Sequence, residues 1–540
     1  MDLQGKTGLL IDDIPEMRTS VSIQLADSGL ERCMSVRSVK EAIEKLATNK
    51  FDIVVCDYNL GQGADGQQFL ELVRRKHILP LSTAFLMITG ETGYEQVSTA
   101  AEYSPDDYLL KPFTADTLAT RLIRILEKKE ALKPVYRHMG LRGDRGKALS
   151  ACDALLKSGT RYPSEVLRLK GELLLANGAH AEALALYEEV LQQRETPWAV
   201  VGKALALKAA GKADDALGLL QSSLSAYPNY LAAYDSLAEM LEKTDKVAAQ
   251  AVVERALKVS ASTQRQRDLG SLALDNKNFE RAETAFRVAV ERDRTGFFKN
   301  HDDYAALSRS CVEQGKHKEA LAAVKDMGQH FSHTPDLAAR QAALECQLHV
   351  RSGNQEAAKV ALSKAIELQK AGGLAANSSL EIAQACFASG KAEEAKEIIK
   401  AVAEDHHENL EVLERAQSVF EVAGLKDEGV EFLEATCKRM IRLNNDAVAL
   451  AKSGELDKAI VMLVEAANRL RNNAQVSINA AQAILMRLTK QGMDRAQLEE
   501  ARRYIEQAAQ ANPEHPKLAP AVAFYQKVAP PGATPLELGD

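Results

Sequence analysis

From about residue 134 onward, small residues return at a nearly constant interval. That interval constrains the fold more than any other feature of the chain. Alanines stand at 148, 183, 216, 249, 282, 320, 358 and 395, followed by Gly429, Ala459 and Ala501. The steps between them are 35, 33, 33, 33, 38, 38, 37, 34, 30 and 42 residues. Five residues before most of them lies a glycine, at 143, 178, 211, 315, 353, 390, 424 and 454. A bulky residue often follows four later, as at Tyr187 and Phe286. No strand pattern interrupts the series. A small residue lets two antiparallel helices approach closely, and a glycine tolerates the turn between them. Units of this length are one helix–turn–helix each, and they bury their apolar faces by stacking on their neighbours. The spacing predicts about ten or eleven degenerate repeats over 134–528, in a right-handed solenoid with a concave groove. The final stretch, 529–540, holds Pro530-Pro531-Gly532-Ala533-Thr534-Pro535 and reads as a disordered tail.

Residues 1–130 follow a different pattern, in which strand-like and helix-like segments alternate. Four apolar runs each end on a polar group. Leu9-Leu10-Ile11 runs into Asp12-Asp13, and Phe51-Asp52-Ile53-Val54-Val55-Cys56 into Asp57. Phe85-Leu86-Met87-Ile88 ends on Thr89, and Tyr108-Leu109-Leu110 on Lys111-Pro112. A shorter strand is expected near 33–36. Helical spacing is expected over 15–28, 39–46, 67–73 and 94–103, with a last helix capped by Thr114. A short link through Leu132, Lys133 and Pro134 joins this part to the repeats. Five such strand–helix units predict a doubly wound, five-stranded parallel sheet. In an open parallel sheet, ligands bind beyond the carboxyl ends of the strands. Three carboxylates, a hydroxyl and an ammonium delivered to that edge suit Mg²⁺ and a phosphoryl group.

Composition narrows the alternatives. Apolar residues make up 46% of the 540-residue chain and aromatics 5%, which favours closely packed, alanine-rich helices. The net charge of −7 gives no general attraction to nucleic acid or to an anionic membrane. No helix-turn-helix with a basic recognition face stands out, so DNA binding is not expected. Seven scattered cysteines with no CxxC pair fit a reduced, cytoplasmic chain. No signal-peptide pattern or membrane-length apolar segment is apparent, so no membrane insertion is expected. His406-His407-Glu408 lacks the spacing of a metal motif and is read as a solvated helix end.

The ordered set of Asp12-Asp13, Asp57, Thr89 and Lys111-Pro112 resembles the receiver domain of two-component response regulators, across the whole of 1–130. The 34-residue period resembles tetratricopeptide arrays. The receiver resemblance implies a role for each group. Asp57 is the phosphoacceptor, and Asp12, Asp13, Asp57 and the backbone carbonyl of Asn59 hold Mg²⁺. Lys111 and Thr89 contact phosphoryl oxygens. Thr89 and the aromatic switch residue Tyr108 move together, remodelling the surface made by the helix at 94–103, the strand at 108 and the last helix. Three features depart from the family pattern. Gly61 stands where proline is common, Gln62-Gly63-Ala64 lengthens the loop, and Gly90 replaces a frequent alanine. These departures bear on phosphate lifetime.

The resemblance implies a signalling switch and not an enzyme with an external substrate. A histidine kinase or phosphotransfer protein would load Asp57, and the array would pass the state to a protein ligand in its groove. Two other readings stay open at this level: a constitutive scaffold that uses the receiver for docking, and a phosphate sink. A homodimer through the receiver's output face also stays open.

Overall fold

The structure is a computed structural model. It describes residues 3–61, 64–90, 105–139, 143–260, 262–294, 299–331, 334–530 and 533–536. The helix expected at 94–103 lies outside the described residues. The chain forms two compact units, Met1–Lys316 and His317–Asp540.

The first unit opens with β1 (Thr7–Ile11), α1 (Pro15–Asp27), β2 (Arg32–Val36), α2 (Val39–Thr48), β3 (Ile53–Asp57) and α3 (Gly66–Arg75). After these come β4 (Ala84–Thr89), β5 (Asp107–Leu110) and α4 (Ala115–Tyr136). The strands form one parallel sheet in the order β2-β1-β3-β4-β5. This is the doubly wound sheet that the apolar runs predict. Alternate strand residues face opposite sides. Leu10, Val55 and Leu86 pack with Val21 and Leu25 of α1 and Leu118 and Leu122 of α4. Leu9, Val54 and Phe85 pack with Val39 of α2 and Phe69 and Val73 of α3. Thr114 caps α4 as expected, its hydroxyl accepting from the Thr117 N–H at 3.3 Å.

The sequence places a short linking segment at Lys133-Pro134. Instead, α4 runs unbroken through Pro134 to Tyr136. Proline removes one helical hydrogen bond, but the residues beside it are fixed by packing. Leu132 and Val135 are buried with Cys152, Val166 and Leu169 of the first repeats. One helix therefore closes the sheet and begins the array. Lys129, in the same helix, is 6% exposed. Its ammonium lies 2.7 Å from Asp106 Oδ1, donates to the Leu81 carbonyl at 2.7 Å and sits 5.4 Å above the Tyr136 ring. Burial lowers the Lys129 pKa despite the opposing charge of Asp106.

Helix pairs then follow within this unit, among them Pro163–Ala176 with His180–Gln193 and Thr263–Asp275 with Phe279–Asp293. The recurring alanines 148, 183, 216, 249 and 282 are all fully buried. Tyr187 lies over two helical glycines, so that a Cβ on Gly202 would stand 2.2 Å from its ring carbon Cζ. At the turn between Thr263–Asp275 and Phe279–Asp293, Lys277 takes the left-handed conformation (φ 58°) that glycine fills at Gly178 and Gly211.

In the second unit, Ala320, Ala358, Ala395, Ala459 and Ala501 are buried likewise. Gly429 is glycine for a steric reason, because a Cβ there would meet the Phe420 Cβ at 2.5 Å. One departure is large. Lys426–Lys452 is a single 27-residue helix where the period calls for a break. The stretch 434–452 holds no glycine or proline to stop it. The end of Ala392–Asp405 then bonds beyond its sequence neighbours. Asp405 accepts from the Asn472 backbone and side chain at 2.8 and 2.6 Å, and buried Glu404 pairs with Arg439 and Arg469. The Asn473 side-chain N–H donates to His407 Nδ1 at 2.8 Å, and the His407 side chain is only 7% exposed, unlike the solvated end expected from sequence. Part of the expected tail is also ordered. Ala533 and Leu536 pack on the last cluster, and the Tyr525 hydroxyl donates to the Thr534 carbonyl at 3.1 Å. Among the described residues, no helix is long and apolar enough to cross a membrane.

Candidate functional site

The carboxyl ends of β1, β3, β4 and β5 bring Asp12, Asp13, Asp57, Thr89 and Lys111 to one edge of the sheet. Ladder-like bonds continue past the strand ends and fix the loop bases. The Asp12 N–H donates to the Val36 carbonyl, Tyr58 N–H to Ile88, and Lys111 N–H to Thr89, at 3.2, 2.8 and 2.8 Å. Asp12 and Asp57 are buried, at 2% and 6% exposure, and Asp13 is half-buried. Each of the three offers one carboxylate oxygen, and these oxygens lie within 4.8 Å of one another. Among the described residues, no other group of three acidic, histidine or cysteine side chains meets that distance.

Lys111 spans the cluster. Its ammonium donates to Asp57 Oδ2 at 2.9 Å and to Asp12 Oδ2 at 3.3 Å. Burial pushes the Asp57 carboxyl above its ordinary pKa. The Lys111 bond and charge oppose that rise, and the neighbouring Asp12 adds to it. Burial by itself would lower Lys111, but its bond to Asp57 and the charges of Asp57 and Asp12 outweigh it and raise the ammonium. The site thus holds a positive charge firmly and a carboxylate grudgingly. A divalent cation among the three oxygens would ease the crowding of negative charge, and hard oxygen donors suit Mg²⁺.

Thr89 is buried at the end of β4. Tyr108 packs against the hydrophobic core on the α3 side of the sheet, and its hydroxyl is buried with no hydrogen-bond partner among the described residues. Burial pushes its phenol well above the ordinary range. Asn59 is exposed two residues past Asp57, and its side-chain oxygen accepts from the Gly61 N–H at 3.1 Å. The candidate site residues named from sequence therefore lie on or beside one edge. Of the loop that departs from the family pattern, Gln62 and Gly63 lie outside the described residues.

Several further residues support the site. The Arg18 guanidinium donates to the Asp12 carbonyl at 2.6 Å. A basic residue one turn into the helix after an acidic pair is the signal that marks it. Asp65 and Gln68 form a reciprocal cap on α3, with bonds of 2.7 and 3.1 Å. Gly66 must lack a side chain, because a Cβ there would lie 2.2 Å from the Asp57 carbonyl. The Gly66 N–H also donates to the Tyr58 carbonyl at 2.9 Å, so the start of α3 lies directly against the backbone that carries Asp57.

A parallel sheet of this order with such an edge is the architecture of a receiver-type domain, and helical repeats follow it. The family model described as "Response regulator receiver domain" matches residues 9–123, and one described as "Tetratricopeptide repeat" matches 142–197. Chemotaxis protein CheY-3 of Vibrio cholerae is 36% identical over 124 residues, 22% of this chain and 91% of that protein. Chemotaxis protein CheY of Pseudomonas aeruginosa is 32% identical over 124 residues, again 22% of this chain and 95% of its own length. The solved structure of CheY4 of Vibrio cholerae shares 30% identity over 22% of this chain and 98% of its own, with a TM-score of 0.21. Through its N-terminal domain, the chain belongs to the response regulator receiver family.

Proposed function

We propose that the chain is a phosphorylation-dependent signalling switch whose output is made by the repeat array. A histidine kinase or phosphotransfer protein presents a phosphohistidine at the carboxyl edge of the sheet. An Asp57 oxygen attacks phosphorus, the phosphorus–nitrogen bond breaks, and its electron pair leaves with the imidazole. The aspartyl phosphate remains on Asp57. Asp12, Asp13 and Asp57, with the Asn59 carbonyl, would hold Mg²⁺. When bound, the ion supplies charge that neutralises phosphoryl oxygens. Lys111 turns from the two carboxylates to a phosphoryl oxygen, and the Thr89 hydroxyl bonds another. Tyr108 follows into the space that Thr89 vacates, a population shift driven by a few contacts.

The observation that carries this reading is the Lys111 ammonium held between Asp57 and Asp12, beside a third carboxylate. The output reading rests on α4, which closes the sheet and packs into the first repeats. A shift of β5 or α4 would therefore act directly on the array and alter its grip on a protein partner. The test is incubation of the full chain with Mg²⁺ and acetyl phosphate, read by intact mass beside Asp57→Ala. An adduct in wild type alone supports the switch. Absence of both an adduct and beryllofluoride binding would leave a constitutive scaffold as the better account.

A further inference from the structure

Gly61 stands four residues after Asp57 with φ +70°, in the left-handed region. Its N–H is tied back to Asn59 Oδ1 at 3.1 Å, which fixes the turn. A Cβ built on Gly61 would lie 2.6 Å from Asp13 Oδ2 and 3.5 Å from its Cγ. No carboxylate oxygen tolerates a carbon that close. Asp13 is one of the three acidic groups whose oxygens gather within 4.8 Å. A proline, frozen near φ −65°, is excluded from this turn by its backbone as well as by its side chain.

We propose that Gly61 is a positioning residue for the metal site: its missing side chain is the space in which the Asp13 carboxylate reaches the other two. This rests on the Mg²⁺ reading above. A side chain at 61 turns Asp13 out of the cluster and weakens the ion without touching Asp12, Asp57 or Lys111. Residues that orient metal ligands commonly change affinity by about 10- to 100-fold when altered.

The test titrates the full chain with Mn²⁺, a hard divalent ion of similar oxygen preference. Free Mn²⁺ is counted by its paramagnetic resonance signal, Mg²⁺ is the competitor, and Asp57→Asn gives the background from other sites. Gly61→Ala and Gly61→Asn are each expected to weaken the Mg²⁺-competed site by roughly 10- to 100-fold. Asparagine tolerates positive φ far better than alanine, so an equal loss in both assigns the effect to the added Cβ. In an Asp13→Asn background, the same substitutions are expected to change affinity by less than about twofold. Wild-type affinity in either single variant, or an undiminished loss once Asp13 is gone, would overturn the proposal. A wild-type chain with no Mg²⁺-competed site would overturn the metal reading itself, and this inference with it.

Discussion

Lys129 and Asp106 form a buried ion pair at the joint between the sheet and the repeats, with 2.7 Å between Nζ and Oδ1. Asp106 also accepts from the Phe85 N–H at 2.9 Å and faces Arg74 of α3 at 3.8 Å. It therefore ties the start of β4, the end of α3 and the second half of α4 together. Removing Lys129 leaves Asp106 with Arg74 at 3.8 Å as its ionic partner, so the loss falls below the roughly 3–5 kcal/mol of a fully stranded buried charge, at about 1–3 kcal/mol. Lys129→Ala should lower the stability of this unit by about that amount. Urea unfolding followed by the fluorescence of Trp198, the chain's one tryptophan, reads the change. A loss below about 1 kcal/mol would place the pair among ordinary surface bridges.

The acidic cluster should make the metal-free chain less stable at neutral pH than a neutralised variant. The Asp57 pKa is raised in the folded state by burial and by Asp12, with Lys111 opposing. A carboxyl raised on folding favours the fold while protonated, and its ionisation costs stability as pH climbs through the folded value. Asp57→Asn should therefore raise the melting temperature in chelator at pH 7. The gain should vanish at about pH 3, below the ordinary aspartate value of about 3.9. A lower melting temperature for the variant at pH 7 would show that Lys111 more than offsets the burial.

Mg²⁺ should reverse that order. A ligand bound only to the folded state adds about 2.7 kcal/mol at a hundredfold excess over its dissociation constant. Wild type should gain this in thermal melts, whereas Asp57→Asn should gain much less. Equal gains in both would move the stabilising ion away from the three carboxylates.

The shared helix predicts how the chain can be cut. A receiver ending at residue 130 loses Leu132 and Val135, which are buried against Cys152, Val166 and Leu169. An array beginning at 137 loses the same partners from the other side. Its helices Arg145–Lys157 and Pro163–Ala176 should exchange backbone hydrogens much faster than in the full chain. An array beginning at 115 should recover most of that protection. Equal protection in both fragments would show that α4 contributes nothing to the array.

These contacts also mark where sequence reasoning stopped. The strand ends were legible because an apolar run followed by a charged residue is a local signal, and the sheet order delivers such residues to one edge. The small residues at 148, 183, 216 and 249 were legible because each must fit between helices in every repeat. The continuity of α4 was not legible, because Pro134 normally ends a helix and only tertiary packing of Leu132 and Val135 overrides it. The fusion of Lys426–Lys452 was hidden because a period marks where turns are allowed, and an absent turn leaves no residue to read. Asp106 with Lys129 and Gly61 with Asp13 are distant in sequence, and nothing local to either member names its partner.

The last prediction separates two opposite effects of one substitution. Alanine is favoured over glycine inside a helix by about 1 kcal/mol. Gly218 is exposed in Ala213–Ala226, and a Cβ there meets nothing within 4 Å. Gly218→Ala should therefore stabilise the chain by about 1 kcal/mol. Gly202 is buried in Pro197–Ala209, where the same Cβ would stand 2.2 Å from Tyr187 Cζ and 2.3 Å from Cε1. Overpacking a close-fitted core costs about 1–3 kcal/mol, enough to cancel or exceed the propensity gain. Gly202→Ala should thus be neutral to destabilising by about 2 kcal/mol, despite the identical chemical change. Tyr187→Leu should reduce the penalty, because the ring that blocks the new methyl is gone. Urea unfolding of the two single variants and the Gly202→Ala/Tyr187→Leu pair decides the matter. A stabilised Gly202→Ala chain would mean that the Tyr187 ring moves aside easily and that glycine at this position is not held there by packing.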